Sequence, residues 1–334
     1  MCPSPRPDDS SRLEAGAEPP ALPGETPPAY RATGEDPAAG AGSAGGPRRD
    51  AKAANGSKRD TSYPPAPEPL AVPVMDNHTH LDFGDGGVTV TVAQALDTAN
   101  AVGVSGIIQV GCDVESSRFA VQAAHADPRV LAAVAIHPND ASRLAERGEL
   151  GSALAEIDRL AGDPRVRAVG ETGLDYFRTG EEGRPAQQES FRAHLEMAVR
   201  HGQAVQIHDR EAHADIVQIL GQVPTPDTVV FHCFSGDAEL ARICNAHGWY
   251  MSFSGTVTFK NSGDLREALA IADPSLVLVE TDAPFLTPHP YRGRPNASYL
   301  IPYTVRSMAD TLQTDVDGLS ERIAQNTTTA YGNW

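Results

Sequence analysis

Histidine and carboxylate residues stand at the ends of several short apolar runs of this chain, and these side chains bind divalent metal ions in many proteins. His78 and His80 form the first pair. Because alternate residues of a strand point to the same face, both imidazoles are expected to project together. Later runs end in further candidate ligands, which are Glu171, His208, His232 and Asp282. Four histidines, one Glu and one Asp are enough to hold two divalent cations.

The six residues divide into two predicted metal sites that share one carboxylate. The first site is predicted to contain His78, His80, Glu171 and Asp282, and the second Glu171, His208 and His232. Two metal ions about 3.5–4 Å apart lower the pKa of a shared water and stabilise the attacking and leaving oxygens. Glu171 and Asp282 are therefore the predicted catalytic residues, with Asp282 accepting a proton from the water. The sequence leaves Mg, Mn and Zn open as the metal.

Three further residues are candidates for substrate binding. Arg210 and Lys260 are predicted to hold phosphate oxygens, although each could equally be a solvated surface charge. His137 precedes Pro138 at the end of another run and is predicted to contact the substrate or leaving group; a structural role is the alternative. Asp76 lies in phase with His78 and could orient a histidine ring.

The runs that carry these residues are short and rich in β-branched side chains, and helical segments separate them. Unbroken apolar runs are typical of parallel strands that are covered on both faces. Eight alternations of strand and helix predict an α/β fold, a (β/α)8 TIM-type barrel with the site at its carboxyl-terminal rim. The predicted strands are Pro73–His80, Val104–Cys112, Val130–His137, Val166–Asp175, Ala204–Asp209, Thr228–Phe234, Tyr250–Ser254 and Leu276–Thr281.

The first 70 residues differ in composition from the rest. They contain 14 of the 27 prolines and are rich in Ala and Gly, so they are predicted to bury too little apolar surface to fold. We therefore predict a disordered amino-terminal extension over residues 1–70 and one hydrolase barrel over residues 71–334. A binding arm is the alternative for the extension. It lacks the apolar core of a secretory signal.

The net charge of −17 argues against a protein that coats nucleic acid with a broad basic surface. It is compatible with weak, metal-dependent engagement of nucleic-acid ends. No run reaches the roughly 20 apolar residues of a membrane span. The four cysteines include no CxxC pair, and Cys112 and Cys233 are expected to be small buried apolar residues. We expect a cytoplasmic monomer without an obligate protein partner.

Seven sequence blocks in order resemble the TatD family of metal-dependent deoxyribonucleases, within the amidohydrolase-like barrels, over about residues 74 to 333. The family's metal ligands fall on the same six positions named above. The resemblance implies a TIM-type barrel, two divalent ions and hydrolysis at nucleic-acid ends, often 3′-5′ on single strands. The blocks are Asp76–His80, Ala135–Pro138, Gly170–Tyr176, Gln206–Arg210, His232–Gly236, Ser254–Asn261 and Glu280–Leu286.

Three hypotheses about function remain at this stage. The first is a two-metal phosphodiesterase that trims DNA or RNA ends. The second is an ester or amide hydrolase on the same barrel, since some relatives resemble D-aminoacyl-tRNA deacylases. The third is a non-enzymatic scaffold. One departure from the family is the segment Asn296-Ala297-Ser298, where many members carry Asn-Glu-Pro, and this puts its role in substrate binding in doubt.

Overall fold

Eight parallel strands form the centre of the computed structural model, which describes residues 23–31 and 58–334. Each strand pairs with the next one along the chain. A further bridge joins Thr79, at the end of the first strand, to Ala283, which follows the last. The predicted (β/α)8 barrel is confirmed. The strands are β1 Val74–Thr79, β2 Val104–Val110, β3 Val130–Val134, β4 Val166–Asp175, β5 Ala204–Arg210, β6 Val229–Phe231, β7 Tyr250–Phe253 and β8 Val277–Val279.

Helices follow the strands and cover the outside of the barrel. Local sequence sets their ends: Thr91 and Gln94 form a capping box at the start of the first helix. Gly202 and Gly248 end two others in the left-handed conformation that favours glycine. The helices are α1 Val92–Ala101, α2 Val114–Ala126, α3 Pro138–Glu146, α4 Leu150–Ala161, α5 Arg184–His201, α6 His213–Leu220, α7 Ala238–His247, α8 Gly263–Ile271, α9 Ile301–Leu312 and α10 Val316–Tyr331.

Most strands are shorter than the apolar runs that predict them, and the difference falls at their carboxyl ends. The β6 strand stops at Phe231, whereas the prediction extends to Phe234. Cys233 has a φ of 41°, in the left-handed region, so the chain leaves the extended conformation there. The same happens at Asp282 after β8, with a φ of 54°. Candidate ligands therefore lie on turns that follow the strands as well as on the strands themselves.

Two parts of the segment predicted to be disordered are packed on the barrel. Tyr30 and Tyr63 are buried beside Tyr299, with ring centroids 4.7 Å apart for Tyr30 and Tyr63 and 5.0 Å apart for Tyr30 and Tyr299. The Tyr299 hydroxyl donates to the Pro64 carbonyl over 2.6 Å. For residues 23–31 and 58–70 the prediction of disorder is wrong, because a few aromatic side chains supply the apolar contacts. The rest of that prediction lies outside the described residues.

Residues 58–70, here called the strap, cross the loops that follow β1 and β8. Arg59 forms a buried ion pair with Asp85 of the β1 loop, 2.8 Å from Nη2 to Oδ2. In the β8 loop, Arg294 donates to the backbone carbonyls of Ser62 and Tyr63. The strap thus connects the two loops on either side of the seam between the first and last strands. Among the described helices, none is long and apolar enough to span a membrane.

Candidate metal centre

The six predicted ligands converge at the carboxyl ends of the strands. Glu171, His78 and His208 lie on strands, His80 and His232 follow strand ends directly, and Asp282 lies three residues after β8. They lie on one side of the barrel, at or beneath the floor of a cavity of about 1080 Å³. All six are buried or half-buried.

One group of ligand atoms gathers around Glu171 Oε2. His78 Nε2 lies 3.6 Å from this oxygen, and His80 Nε2 lies 3.8 Å from it. The two imidazole nitrogens are 3.3 Å apart. Asp282 Oδ1 completes the group, 3.4 Å from His80 Nε2 and 3.9 Å from His78 Nε2.

A second group gathers around the other oxygen of the same carboxylate. Glu171 Oε1 lies 2.6 Å from His208 Nδ1 and 2.8 Å from His232 Nε2. These two nitrogens are 3.5 Å apart. His137 Nε2 approaches the same oxygen at 3.5 Å.

Both groups have the spacing that a cation requires of its ligands. Atoms that each lie about 2.0–2.2 Å from one ion are roughly 3–3.6 Å from one another in tetrahedral or octahedral geometry. Most separations in the two groups fall in or near this range. The clusters of His and Glu are therefore able to bind metal.

The second ring nitrogen of three histidines faces a hydrogen-bond acceptor. His80 Nδ1 lies 3.0 Å from the Val110 carbonyl, so it must carry the proton. His232 Nδ1 lies 3.3 Å from Glu280 Oε1, and His208 Nε2 lies 3.4 Å from Asp175 Oδ2. In the neutral rings of His80 and His232, a proton on that nitrogen leaves the lone pair of the other nitrogen pointing into the centre, whereas His208 Nε2 makes no hydrogen bond. Acceptors placed behind metal-binding histidines orient the ring and increase its basicity.

His137 has the opposite arrangement. Its Nδ1 accepts from the Asn139 backbone N–H over 3.1 Å, so the proton of the neutral ring lies on Nε2. The nitrogen that faces the cavity is therefore a donor and has no lone pair to offer a metal. This geometry supports the sequence prediction of a substrate contact for His137.

The electrostatics of the centre keep the carboxylate shared by the two groups ionised. Burial alone would raise the pKa of Glu171, but the rings of His232 and His137 outweigh burial and hold this pKa well below its usual range. Burial lowers the pKa of His232, and the charges of Glu171 and Glu280 more than reverse that effect. The ionised carboxylate is the form that binds a cation.

Known proteins share both the sequence and the fold. Residues 75–332 match the model of the family described as TatD related DNase. The metal-dependent hydrolase TatD of Mycobacterium tuberculosis is 42% identical over 263 residues, which cover 78% of this chain and 98% of that protein. The metal-dependent hydrolase YabD of Bacillus subtilis is 32% identical over 254 residues, covering 76% of this chain and 96% of that protein. This chain belongs to the TatD family.

Among solved structures, YJJV, a TatD homologue from Escherichia coli, superimposes with a TM-score of 0.72 at 24% identity. The alignment covers 78% of this chain and 98% of that one. A TatD-family hydrolase from Entamoeba histolytica gives a TM-score of 0.66 at 18% identity, with coverage of 78% and 99%. At these identities the structures support the barrel fold alone. The family match and the sequence relatives, which are metal-dependent hydrolases, show that this chain is a hydrolase.

The segment Asn296-Ala297-Ser298, in which this TatD-family chain departs from the family pattern, contains one residue with a clear structural role. Asn296 is buried, and its amide donates to the carbonyls of Thr281 and Phe285 over 3.0 and 2.6 Å. It therefore fixes the turn that carries Asp282. The neighbouring Ala297 is buried and offers the cavity no polar group.

The predicted substrate residues differ in where they lie. Arg210 lines the cavity, as does His137. Lys260 is exposed and is not part of the cavity wall, so the structure does not bring it to the ligands. Asp76 does not contact a histidine ring; its carboxylate accepts from the backbone and hydroxyl of Thr281, at 2.9 and 2.6 Å. Burial raises the pKa of Asp76 to about 7.

Sequence reasoning missed the acceptors behind the rings and misplaced two cysteines. Glu280 lies two residues before Asp282, and this spacing at a strand end is a signal that could have identified it. Asp175 closes β4 in register with Arg210 of β5, a pairing visible only in the sheet. The expectation that Cys112 and Cys233 are buried apolar residues is wrong, because both are half-buried and line the cavity. Cys112 Sγ lies 3.7 Å from Glu171 Oε2.

Proposed function

We propose that this chain is a two-metal phosphodiesterase that removes nucleotides from the ends of single-stranded nucleic acid, in the 3′-5′ direction. One observation carries the proposal, which is that the two oxygens of Glu171 face different groups of ligand atoms. Oε2 faces His78 and His80, whereas Oε1 faces His208 and His232. A carboxylate in this position can bridge two cations.

The residues present fit that pair of cations. His78, His80, Glu171 and Asp282 would hold one ion, and Glu171, His208 and His232 would hold the other, with Mg, Mn or Zn as the metal. Such ions supply Lewis-acid stabilisation of phosphoryl oxygens and lower the pKa of water. Mixed nitrogen and oxygen ligands are compatible with all three metals.

The chain's own side chains supply proton transfer and charge. Asp282 lines the cavity and would accept the proton of the attacking water. His137 presents a ring N–H to the same space, where it would donate a hydrogen bond to a phosphate oxygen or to the leaving group. Arg210 would pair with phosphate oxygens through its planar guanidinium.

The choice of nucleic-acid ends rests on the family description and on charge. The matched family is described as a DNase family. With a net charge of −17, the chain is unsuited to coating a duplex, whereas a cavity with a few arginines suits a single flexible end. We also propose that the enzyme is cytoplasmic and monomeric.

To test the proposal, metal-stripped protein is reconstituted with Mg, Mn or Zn and given 5′-labelled single-stranded DNA. We expect a ladder of shortened products that appears only with added metal. Because Asp282 is the proposed proton acceptor, D282N is expected to lower the rate roughly 10²–10⁴-fold. The same preparation of D282N also controls for a contaminating nuclease.

Two results would contradict the proposal. Near-normal turnover by D282N would show that Asp282 is not the base that accepts the proton of the water. An absence of cleavage with every metal would favour an ester or amide substrate at the same centre, and a D-aminoacyl-tRNA tested under identical conditions would detect that activity.

A further inference from the structure

Phe177 is an aromatic side chain that the fold leaves in water beside the cavity. It lies in the loop after β4 and is 58% exposed. Among the described residues, the only other large apolar side chain that is exposed is Val199, at 42%. Val199 is near the end of α5, away from the ligands. An exposed phenyl ring forgoes the favourable free energy of burial, which a bound aromatic group would supply.

The guanidinium of Arg210 stacks on this ring. Its central carbon lies 3.9 Å from the ring centroid, so one face of the phenyl is supported by a planar cation. Arg210 is half-buried and lines the cavity. Among the described residues, no side chain accepts a hydrogen bond from its guanidinium. The stack therefore combines a planar apolar surface with donors that are available for a phosphate.

The strand register places this stack next to the candidate metal centre. Asp175 of β4 pairs with Arg210 of β5, and Asp175 Oδ2 lies 3.4 Å from His208 Nε2. Phe177 follows Asp175 by two residues, a backbone distance of at most about 7 Å. A nucleotide whose phosphate lies at the ligands would thus have a neighbouring base within reach of the ring.

The charge on this side of the cavity suits a nucleic-acid strand. Arg178 also lines the cavity, and no described carboxylate forms an ion pair with it. Arg143 lies nearby, but Asp140 neutralises it. Arg178 and Arg210 therefore remain for phosphates, and the carboxylates of Glu146, Glu182 and Asp209 in the same wall limit how much of a strand the cavity can hold.

We propose that Phe177, supported by Arg210, stacks a nucleobase of a single-stranded nucleic acid that is bound with a phosphate at the metal centre. This inference rests on the proposed function and adds the residue that recognises the base. Stacking tolerates any base, because every base has a π-face. A substrate that consists of a phosphate ester alone would not reach Phe177 and would gain nothing from it.

Two matched strands test the inference. One is a single-stranded octathymidylate, and the other has the same length and phosphates but an abasic unit at every position. With Mn²⁺ added, we expect the wild type to show a lower KM for the base-bearing strand, by roughly 5- to 150-fold. F177A is expected to lose most of this preference, F177W to retain it, and V199A to behave as wild type.

Anisotropy of the labelled strands with Mn²⁺ present, measured on the slow D282N background with and without F177A, reports binding with little turnover and separates the two proposals. If the wild type cleaves both strands and F177A keeps the full preference for bases, the stacking inference is wrong and the phosphodiesterase proposal stands. If the wild type cleaves neither strand, the proposed function is wrong. The binding measurement then tests by itself whether Phe177 stacks a base. Weaker binding of the base-bearing strand alone to F177A would support stacking, and equal binding would overturn it.

Discussion

At the scale of the residue, Glu171 connects the two halves of the candidate metal centre. Its oxygens face different histidine pairs, so removing this carboxylate affects both halves, whereas removing His232 affects one. After reconstitution with Mn²⁺, we expect about two ions per wild-type chain, about one for H232A and fewer than one for E171A. Mass spectrometry of the elements in desalted protein measures these ratios. H125A, which changes an exposed histidine of α2, is the control.

Equal metal contents for E171A and H232A would contradict the bridging role of Glu171. Circular dichroism of each variant would show whether lost metal reflects lost folding. The convergence of the six candidate ligands could be predicted from residue type and strand position, since both are local in sequence. The ring tautomers could not, because those of His80 and His232 depend on Val110 and Glu280, which only the closed barrel brings behind them.

At the scale of the element, the strap depends on a buried ion pair. The side chains of Arg59 and Asp85 are 6% and 1% exposed. Because R59A removes a guanidinium that pairs with a buried carboxylate at 2.8 Å, we expect a loss of roughly 3–5 kcal/mol in the free energy of unfolding. The thermal midpoint should fall by about 6–12 °C or more. R118A, which breaks the exposed pair with Glu156, should change stability by about 0–1 kcal/mol.

Differential scanning calorimetry of both variants checks this prediction, and equal midpoints for R59A and wild type would show that this ion pair contributes no stability. Composition could not reveal the strap. Residues 1–70 are poor in large aliphatic side chains, and that average is a sound reason to expect disorder. The strap is nevertheless held by individual contacts at Arg59, Tyr63 and Leu70, which an average over 70 residues does not register.

At the scale of the whole molecule, the alternation of strands and helices was enough to predict the barrel. The apolar runs are unbroken and alternate with helical segments, and β4 begins and ends where its run predicts, at Val166 and Asp175. The short strands β6 and β8 were overestimated because their runs continue into polar turns. Those turns carry the ligands, so the pattern marks the site more reliably than it marks the ends of the strands.

The overall charge gives a prediction about salt. The chain carries −17, and Arg178 and Arg210 are the cations that we assign to phosphates. Each neutralised phosphate of a single strand contributes about −0.7 to the slope of log affinity against log salt, so two give about −1.4. Octathymidylate binding, measured by anisotropy in EDTA, should weaken only about sevenfold between 50 and 200 mM NaCl. R210A should reduce the slope by about half. A slope steeper than about −4 would require an extended basic surface, which is incompatible with recognition of one strand end by two arginines.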